Sequence, residues 1–91
     1  MKTLLQENLV QQLASLHSAE ERIRIQQASV ASAEEDLRVQ QQRYSLGAST
    51  LLDLLTSQTT LDQQRAALIQ ARQDYRIARA QIEAIIGRDL Q

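Results

Sequence analysis

The stretch RYSLGAST, residues 43–50, lies near the middle of the chain and decides the fold. It contains one of only two glycines in a chain of 91 residues that has no proline. Glycine adopts the left-handed conformation at no steric cost, so it often stands directly after the last turn of a helix. The stretch therefore predicts two helices, over about 3–45 and 51–86, joined by a turn over about 45–50.

Residues at the predicted helix ends have the spacing of helix caps. Gly47 follows the first helix, and Gly87 follows the second. Each helix also starts at a threonine with a polar partner three residues later, as in a capping box or a looser acidic form of it. These pairs are Thr3 with Gln6 and Thr50 with Asp53.

Large apolar residues recur every seven positions on both sides of the turn, as in a coiled coil. This row, the a positions, consists of Leu9, Leu16, Ile23, Val30, Leu37, Tyr44, Leu54, Leu61, Leu68, Tyr75 and Ile82. The second row, the d positions, is mostly small or polar and consists of Leu5, Gln12, Ala19, Gln26, Ala33, Gln40, Ser57, Gln64, Ala71, Ala78 and Ile85. The pattern predicts an all-α fold, an antiparallel two-helix coiled-coil hairpin.

The charges beside this seam favour the antiparallel arrangement. When the chain folds back at Ala48–Ser49, opposite charges face each other along both edges, and no like charges do. The predicted pairs are Glu34–Arg65, Glu20–Arg79, Arg22–Asp74 and Arg43–Asp53. Exposed pairs contribute only about 0–1 kcal/mol each, so we expect them to set the register more than the stability.

Further apolar residues lie away from the seam. They are Ala14, Ile25, Ala28 and Val39 in the first helix, and Leu52, Leu55, Ala66, Ile69 and Ala80 in the second. A lone two-stranded hairpin would leave them in water, which favours packing against further helices. The alternative is that alanine stands there only as a good helix former.

Composition excludes most other functions. No cysteine is present, and the formal charge is −1, so neither a thiolate metal site nor an electrostatic reason to bind nucleic acid exists. His17, the only histidine, has surface glutamates rather than a catalytic partner beside it. We therefore expect no enzyme activity, no cofactor and no metal. No apolar run is long enough to cross a membrane, so we expect a soluble chain without direct membrane insertion.

The turn is more apolar than a solvated loop. Tyr44 and Leu46 could cap the end of the seam, or they could form a surface that docks another hairpin.

The turn and the residues after it, RYSLGASTLLDLL, resemble the periplasmic tip motif of TolC-like outer-membrane efflux and secretion channels. That motif runs approximately Arg-Tyr-x-x-Gly-x-x-Ser/Thr-x-x-Asp followed by two hydrophobic residues. The resemblance extends over about 28–90 through Gln58, Leu61, Tyr75 and the closing Ile86-Gly87. Before about residue 25, only the helical pattern is similar.

The resemblance implies a trimeric channel in which long hairpins form an α-barrel across the periplasm. This chain would be one such hairpin of an outer-membrane protein, active in multidrug efflux or type I secretion. Its partners would be other hairpins of the same channel and, tip to tip, the hairpin of a periplasmic adaptor protein. The docking residues carried over by position are Tyr44, Ser45, Leu46, Gly47, Ala48, Ser49 and Thr50.

Two residues beside the tip correspond to the channel entrance. Asp53 falls where some members of the family place an acidic ring, whereas the second acidic position three residues later is Thr56 here. Arg43 lies opposite Asp53 and could form a salt bridge with it.

Two alternatives stay open. Adaptor hairpins carry an Arg, a Leu and a Ser across their turn, and this chain has Arg43, Leu46 and Ser49 near its own. The other alternative is a purely structural, or designed, coiled-coil scaffold. Tyr-x-x-Gly followed by Leu-Leu-Asp-Leu-Leu favours the channel.

Overall fold

The chain forms two long antiparallel helices, as the heptad pattern predicts. The computed structural model describes residues 4–90, including their side chains except those of residues 5 and 88–90. Helix α1 spans Leu4–Ser45 and helix α2 spans Leu51–Leu90. The two pack side by side into a rod measuring 68 × 20 × 14 Å. The predicted all-α hairpin is confirmed.

One of the predicted helix ends is wrong. Helix α2 does not stop at Ile86 but continues through Gly87 to Leu90. Of the two glycines only Gly47 has a positive φ. A glycine inside a helix costs only about 0.5–1 kcal/mol relative to alanine, so it permits a helix end without requiring one. The predicted cap at Thr3 lies outside the described residues.

The seam between the helices is built from the predicted a and d rows. Every described residue of these rows is buried or half-buried except Tyr44, which is 44% exposed. The most buried members are Ala19, Ala33, Ser57, Leu61, Ala71, Ala78 and Ile82. Alanine and serine at d let the helices approach closely, but they bury little apolar surface. The seam therefore specifies the pairing of the helices while stabilising it only modestly.

The two ion pairs at the middle of the rod follow the predicted register. Arg65 lies 3.6 Å from Glu34, and Arg22 lies 3.8 Å from Asp74. These pairs mark the two edges of the hairpin, which are lined by the e and the g positions respectively. All four side chains are at least one-third exposed, so the contribution of the pairs to stability is small.

Two predicted ion pairs are wrong: among the described side chains, neither Glu20–Arg79 nor Arg43–Asp53 comes within ion-pair distance. Arg79 instead bonds Glu83 on its own helix, at 3.2 Å. A partner one turn away on the same helix can be reached by small side-chain rotations, whereas a partner across the seam requires both long side chains to extend.

Two polar side-chain contacts also join the helices, and a third joins the turn to α1. The amide of Gln26 donates to the side-chain oxygen of Gln64 at 2.5 Å and to its carbonyl at 3.1 Å. The other two contacts are Ser57 with Asp36, at 2.8 Å, and Ser49 with Gln40, at 2.7 Å.

The apolar residues outside the seam remain accessible in the single chain. Leu52 is 71% exposed, Ile25 is 63% exposed and Ile69 is 58% exposed. In the part of the chain that the structure describes, no helical segment is long and apolar enough to cross a membrane.

Candidate docking tip

The end of α1 is a Schellman motif built around Gly47. The amide of Ala48 donates to the carbonyl of Arg43 at 2.8 Å, and that of Gly47 donates to the carbonyl of Tyr44 at 3.0 Å. This 6→1 and 5→2 pair of hydrogen bonds requires the residue after the helix to be left-handed, and Gly47 has φ +75°. A Cβ added at Gly47 would contact nothing within 4 Å, so lack of space is not the reason for glycine there. The left-handed backbone conformation is the reason.

The start of α2 is capped by Thr50. Its hydroxyl oxygen accepts a hydrogen bond from the amide of Asp53 at 3.1 Å, and its carbonyl accepts the amide of Leu54 at 3.1 Å. This is the N-cap that the Thr50–Asp53 spacing predicts. The carboxylate of Asp53 stands in the first turn of α2, where the helix dipole favours a negative charge.

Side chains fasten the turn to the end of α1. The hydroxyl of Ser49, in the turn, donates to the side-chain oxygen of Gln40. Within the last turn of α1, the hydroxyl of Ser45 donates to the carbonyl of Gln41 at 3.0 Å. Together with the two caps, these bonds leave the short connection between the helices with little conformational freedom. The tip is therefore a preorganised surface rather than a loose loop.

The outer surface of this turn is apolar. Leu46, at the apex, is 83% exposed, and Tyr44 is 44% exposed. The patch continues into α2 with Leu51 and Leu52, which are 53% and 71% exposed. We call these four residues the tip patch. Leu46 projects into solvent and so does not cap the end of the seam.

The charged residues of the candidate entrance lie beside the tip patch without touching each other. Arg43 and Asp53 are both exposed, and Asp53 has no ion-pair partner among the described residues. At the second entrance position, the hydroxyl of Thr56 donates to the carbonyl of Leu52 at 2.8 Å. The structure thus places Tyr44 and Ser45 at the end of α1 and residues 46–50 in the connection to α2, and it does not join the two entrance charges.

Sequence reasoning missed the hydrogen bonds that polar residues at d positions make at the tip and farther along the seam. Ser57 is 7% exposed, and its hydroxyl donates to the carboxylate of Asp36. Gln40 holds Ser49 in the same way, about one helical turn before the tip. The signal was present, because polar residues stand at d positions where a coiled coil usually has leucine. What the heptad pattern does not state is which polar residue each of them bonds.

Comparison with known proteins agrees with the geometry. The sequence model of the family described as Outer membrane efflux protein matches residues 2–88. No curated protein and no solved structure matches the chain significantly.

Proposed function

This chain belongs to the outer membrane efflux protein family, and on that premise we propose that it is a periplasmic hairpin of a TolC-like channel. The family is one of outer-membrane transport channels with periplasmic helices, which agrees with the long rod of two helices. In the proposal, the tip docks the hairpin of a periplasmic adaptor protein in a tripartite efflux or secretion machine.

The exposure of Leu46 carries the docking proposal. A leucine that is 83% exposed at the apex of a fastened turn contributes little to the fold, since it buries little of its surface in this chain. The same turn is held by two caps and a serine–glutamine hydrogen bond. A rigid, apolar, solvent-exposed projection costs little conformational entropy on binding, which suits a docking surface.

Asp53 and Arg43 are proposed to face the channel entrance. Asp53 is exposed and has no ion-pair partner within the described chain, so its charge is free to act on its surroundings. A hydroxyl stands at the second entrance position, where Thr56 bonds its own helix. We therefore propose one ring of carboxylates at the entrance and not a double ring.

The two alternatives differ from this proposal in what the tip binds. If the chain is an adaptor hairpin, it binds channel tips and not adaptor hairpins. If it is a structural scaffold, the tip binds neither, and changes at Gly47 and Leu46 alter no interaction.

The test is binding of the 91-residue chain to an isolated adaptor hairpin and, separately, to a channel tip hairpin. The proposal predicts binding to the adaptor hairpin that weakens at least about tenfold, or 1.4 kcal/mol, in Leu46→Asp. Because Leu46 is almost fully exposed, this change should leave helicity and stability unaltered.

The matched control is Ile77→Asp. Ile77 is also exposed, at 57%, but lies far along α2 from the tip. It should bind the adaptor hairpin as the unaltered chain does. Equal weakening in both variants, or binding only to a channel tip, would overturn the docking proposal.

A further inference from the structure

The connection between the helices is tied to the end of the seam through one side chain. Among residues 46–50 only Ser49 is half-buried, and the other four are exposed. The hydroxyl of Ser49 donates to the side-chain oxygen of Gln40 at 2.7 Å. Gln40 is the last residue of the d row of α1 before the tip, and it is half-buried as well. The bond therefore joins the connection to the last polar position of the α1 seam.

The two helix caps do not make this tie. The Schellman hydrogen bonds close the end of α1 and involve no residue beyond Ala48. The hydroxyl of Thr50 closes the start of α2. Ser49 lies between the caps, and in the part of the chain that the structure describes its bond to Gln40 is the one side-chain hydrogen bond that joins residues 46–50 to α1. Each cap thus fixes one helix end, whereas this bond fixes where the connection lies over the seam.

Glutamine at position 40 does not serve the pairing of the helices. A coiled coil usually has leucine at d, and a polar residue there costs stability. Gln26, at another d position, bonds Gln64 on α2 and so joins the two helices. Gln40 bonds the connection instead, so this hydrogen bond does not hold α2 against α1. What Gln40 stabilises is the position of the turn.

We propose that Gln40 is a positioning residue for docking: it holds Ser49 and thereby keeps Leu46 where a partner binds it. This inference rests on the proposed function of the tip and names a residue that supports it from within the seam. Leu46 is 83% exposed, so it has few contacts of its own and its place follows from the backbone of the connection. A connection that moved freely would lose that freedom on binding, which weakens docking.

The decisive variant is Gln40→Leu. It removes the hydrogen-bond acceptor and puts the usual coiled-coil residue at a d position, so the urea midpoint of unfolding should stay the same or rise. Binding of the 91-residue chain to an isolated adaptor hairpin should nevertheless weaken about threefold to tenfold, a factor that corresponds to one hydrogen bond. A residue that served only the stability of the fold would not weaken binding while the midpoint stays or rises.

A conservative variant and a matched control accompany it. In Gln40→Glu a carboxylate accepts the hydrogen bond of Ser49 as the amide oxygen does, so this variant should bind the adaptor hairpin like the unaltered chain. Gln26→Leu makes the same change as Gln40→Leu at a d position about 21 Å farther from the tip, at 1.5 Å per residue. It removes the bond to Gln64 and should leave adaptor binding unchanged.

A double-mutant cycle shows whether Gln40 acts through Ser49. Ser49→Ala removes the donor of the bond and should weaken adaptor binding by itself. Because the two residues act as a pair in this proposal, adding Gln40→Leu to Ser49→Ala should weaken binding by less than about a further twofold. A full further loss in the double variant would show that Gln40 does not act through Ser49.

Amide hydrogen exchange in the free chain tests the positioning without any partner. The amides of Gly47 and Ala48 donate within the Schellman motif at 3.0 and 2.8 Å, and their exchange reports how often the turn opens. Loss of the Ser49–Gln40 bond should make this exchange about threefold to tenfold faster in Gln40→Leu, again the factor for one hydrogen bond. The exchange should be unchanged in Gln26→Leu.

The outcomes separate this inference from the docking proposal. Unchanged amide exchange in Gln40→Leu, equal weakening of binding in Gln26→Leu, or no recovery of binding in Gln40→Glu would overturn the positioning role. If Leu46→Asp weakens adaptor binding and Gln40→Leu does not, docking stands and the positioning role fails. If the unaltered chain does not bind the adaptor hairpin, the docking proposal fails, and amide exchange alone decides whether Gln40 positions the turn.

Discussion

Replacing Gly47 by alanine tests whether backbone conformation, and not space, decides the residue at the turn. Gly47 has φ +75°, and a Cβ there would meet nothing within 4 Å. The only cost in the folded state is therefore the left-handed conformation itself, which is about 1–2 kcal/mol for a residue with a side chain. Alanine also restricts the unfolded chain, which returns about 0.4–1 kcal/mol. The expected net loss of stability is about 1 kcal/mol.

The other glycine supplies a control of opposite sign. Gly87 lies inside α2 with a helical backbone and with nothing within 4 Å of an added Cβ. Alanine is better than glycine in a helix by up to about 1 kcal/mol, and less so near a helix end. Gly87→Ala should thus stabilise the chain slightly, while Gly47→Ala destabilises it.

The assay is urea unfolding followed by circular dichroism at a fixed chain concentration, so that any self-association is the same for each variant. Gly47→Asn provides a graded point, since asparagine tolerates the left-handed region better than alanine and should lose less stability. The reasoning is refuted if Gly47→Ala is as stable as the unaltered chain, or if both glycine replacements shift the midpoint in the same direction.

Three further predictions concern the seam and one surface pair. Leu61 is 2% exposed, so Leu61→Ala should lower the unfolding free energy by about 2–3 kcal/mol. The control Leu52→Ala, at a site that is 71% exposed, should change it by less than about 0.5 kcal/mol. A similar loss in both variants would contradict the heptad seam. Ser57→Ala removes one interhelical hydrogen bond and should cost about 0.5–1 kcal/mol in urea unfolding, because the partner carboxylate returns to water; no loss would show that the bond does not stabilise the pair. A hydrogen bond from Arg38 lowers the pKa of Glu35. The pair therefore stabilises the fold above the ordinary pKa of glutamate and ceases to do so as the pH falls through the lowered pKa. A carboxyl titration by NMR should show the pKa of Glu35 rising to its ordinary range in Arg38→Ala.

The thin seam limits how much apolar surface the hairpin buries. Among the side chains that the structure describes, six hydrophobic ones are buried, and four of these are alanines. Such a seam supplies little apolar burial for a rod that is 68 Å long. Larger apolar residues outside the seam, such as Ile25 and Ile69, stay exposed and add little to the burial.

The two helix caps at the tip could be predicted from the local sequence. Gly47 and Thr50 act as caps in the structure because both caps are made within a few residues of chain, and short-range bonds of this kind depend on residue type and spacing alone. Gly87 has the same residue type but no such role. Nothing in the sequence around Gly87 prevents the helix from continuing, and α2 does not end there.

The amino-acid sequence by itself determined the two helices, the turn, the rows that form the seam, and the pairs Glu34–Arg65 and Arg22–Asp74. These follow from a seven-residue repeat and from charges that allow a single antiparallel register. Only the tertiary structure decided that Arg79 turns to its own helix, that Ser57 finds the carboxylate of Asp36, and that Leu46 projects into solvent. Such choices are made among several partners within reach of a flexible side chain, and the energies that separate them are too small for the pattern of the chain to reveal.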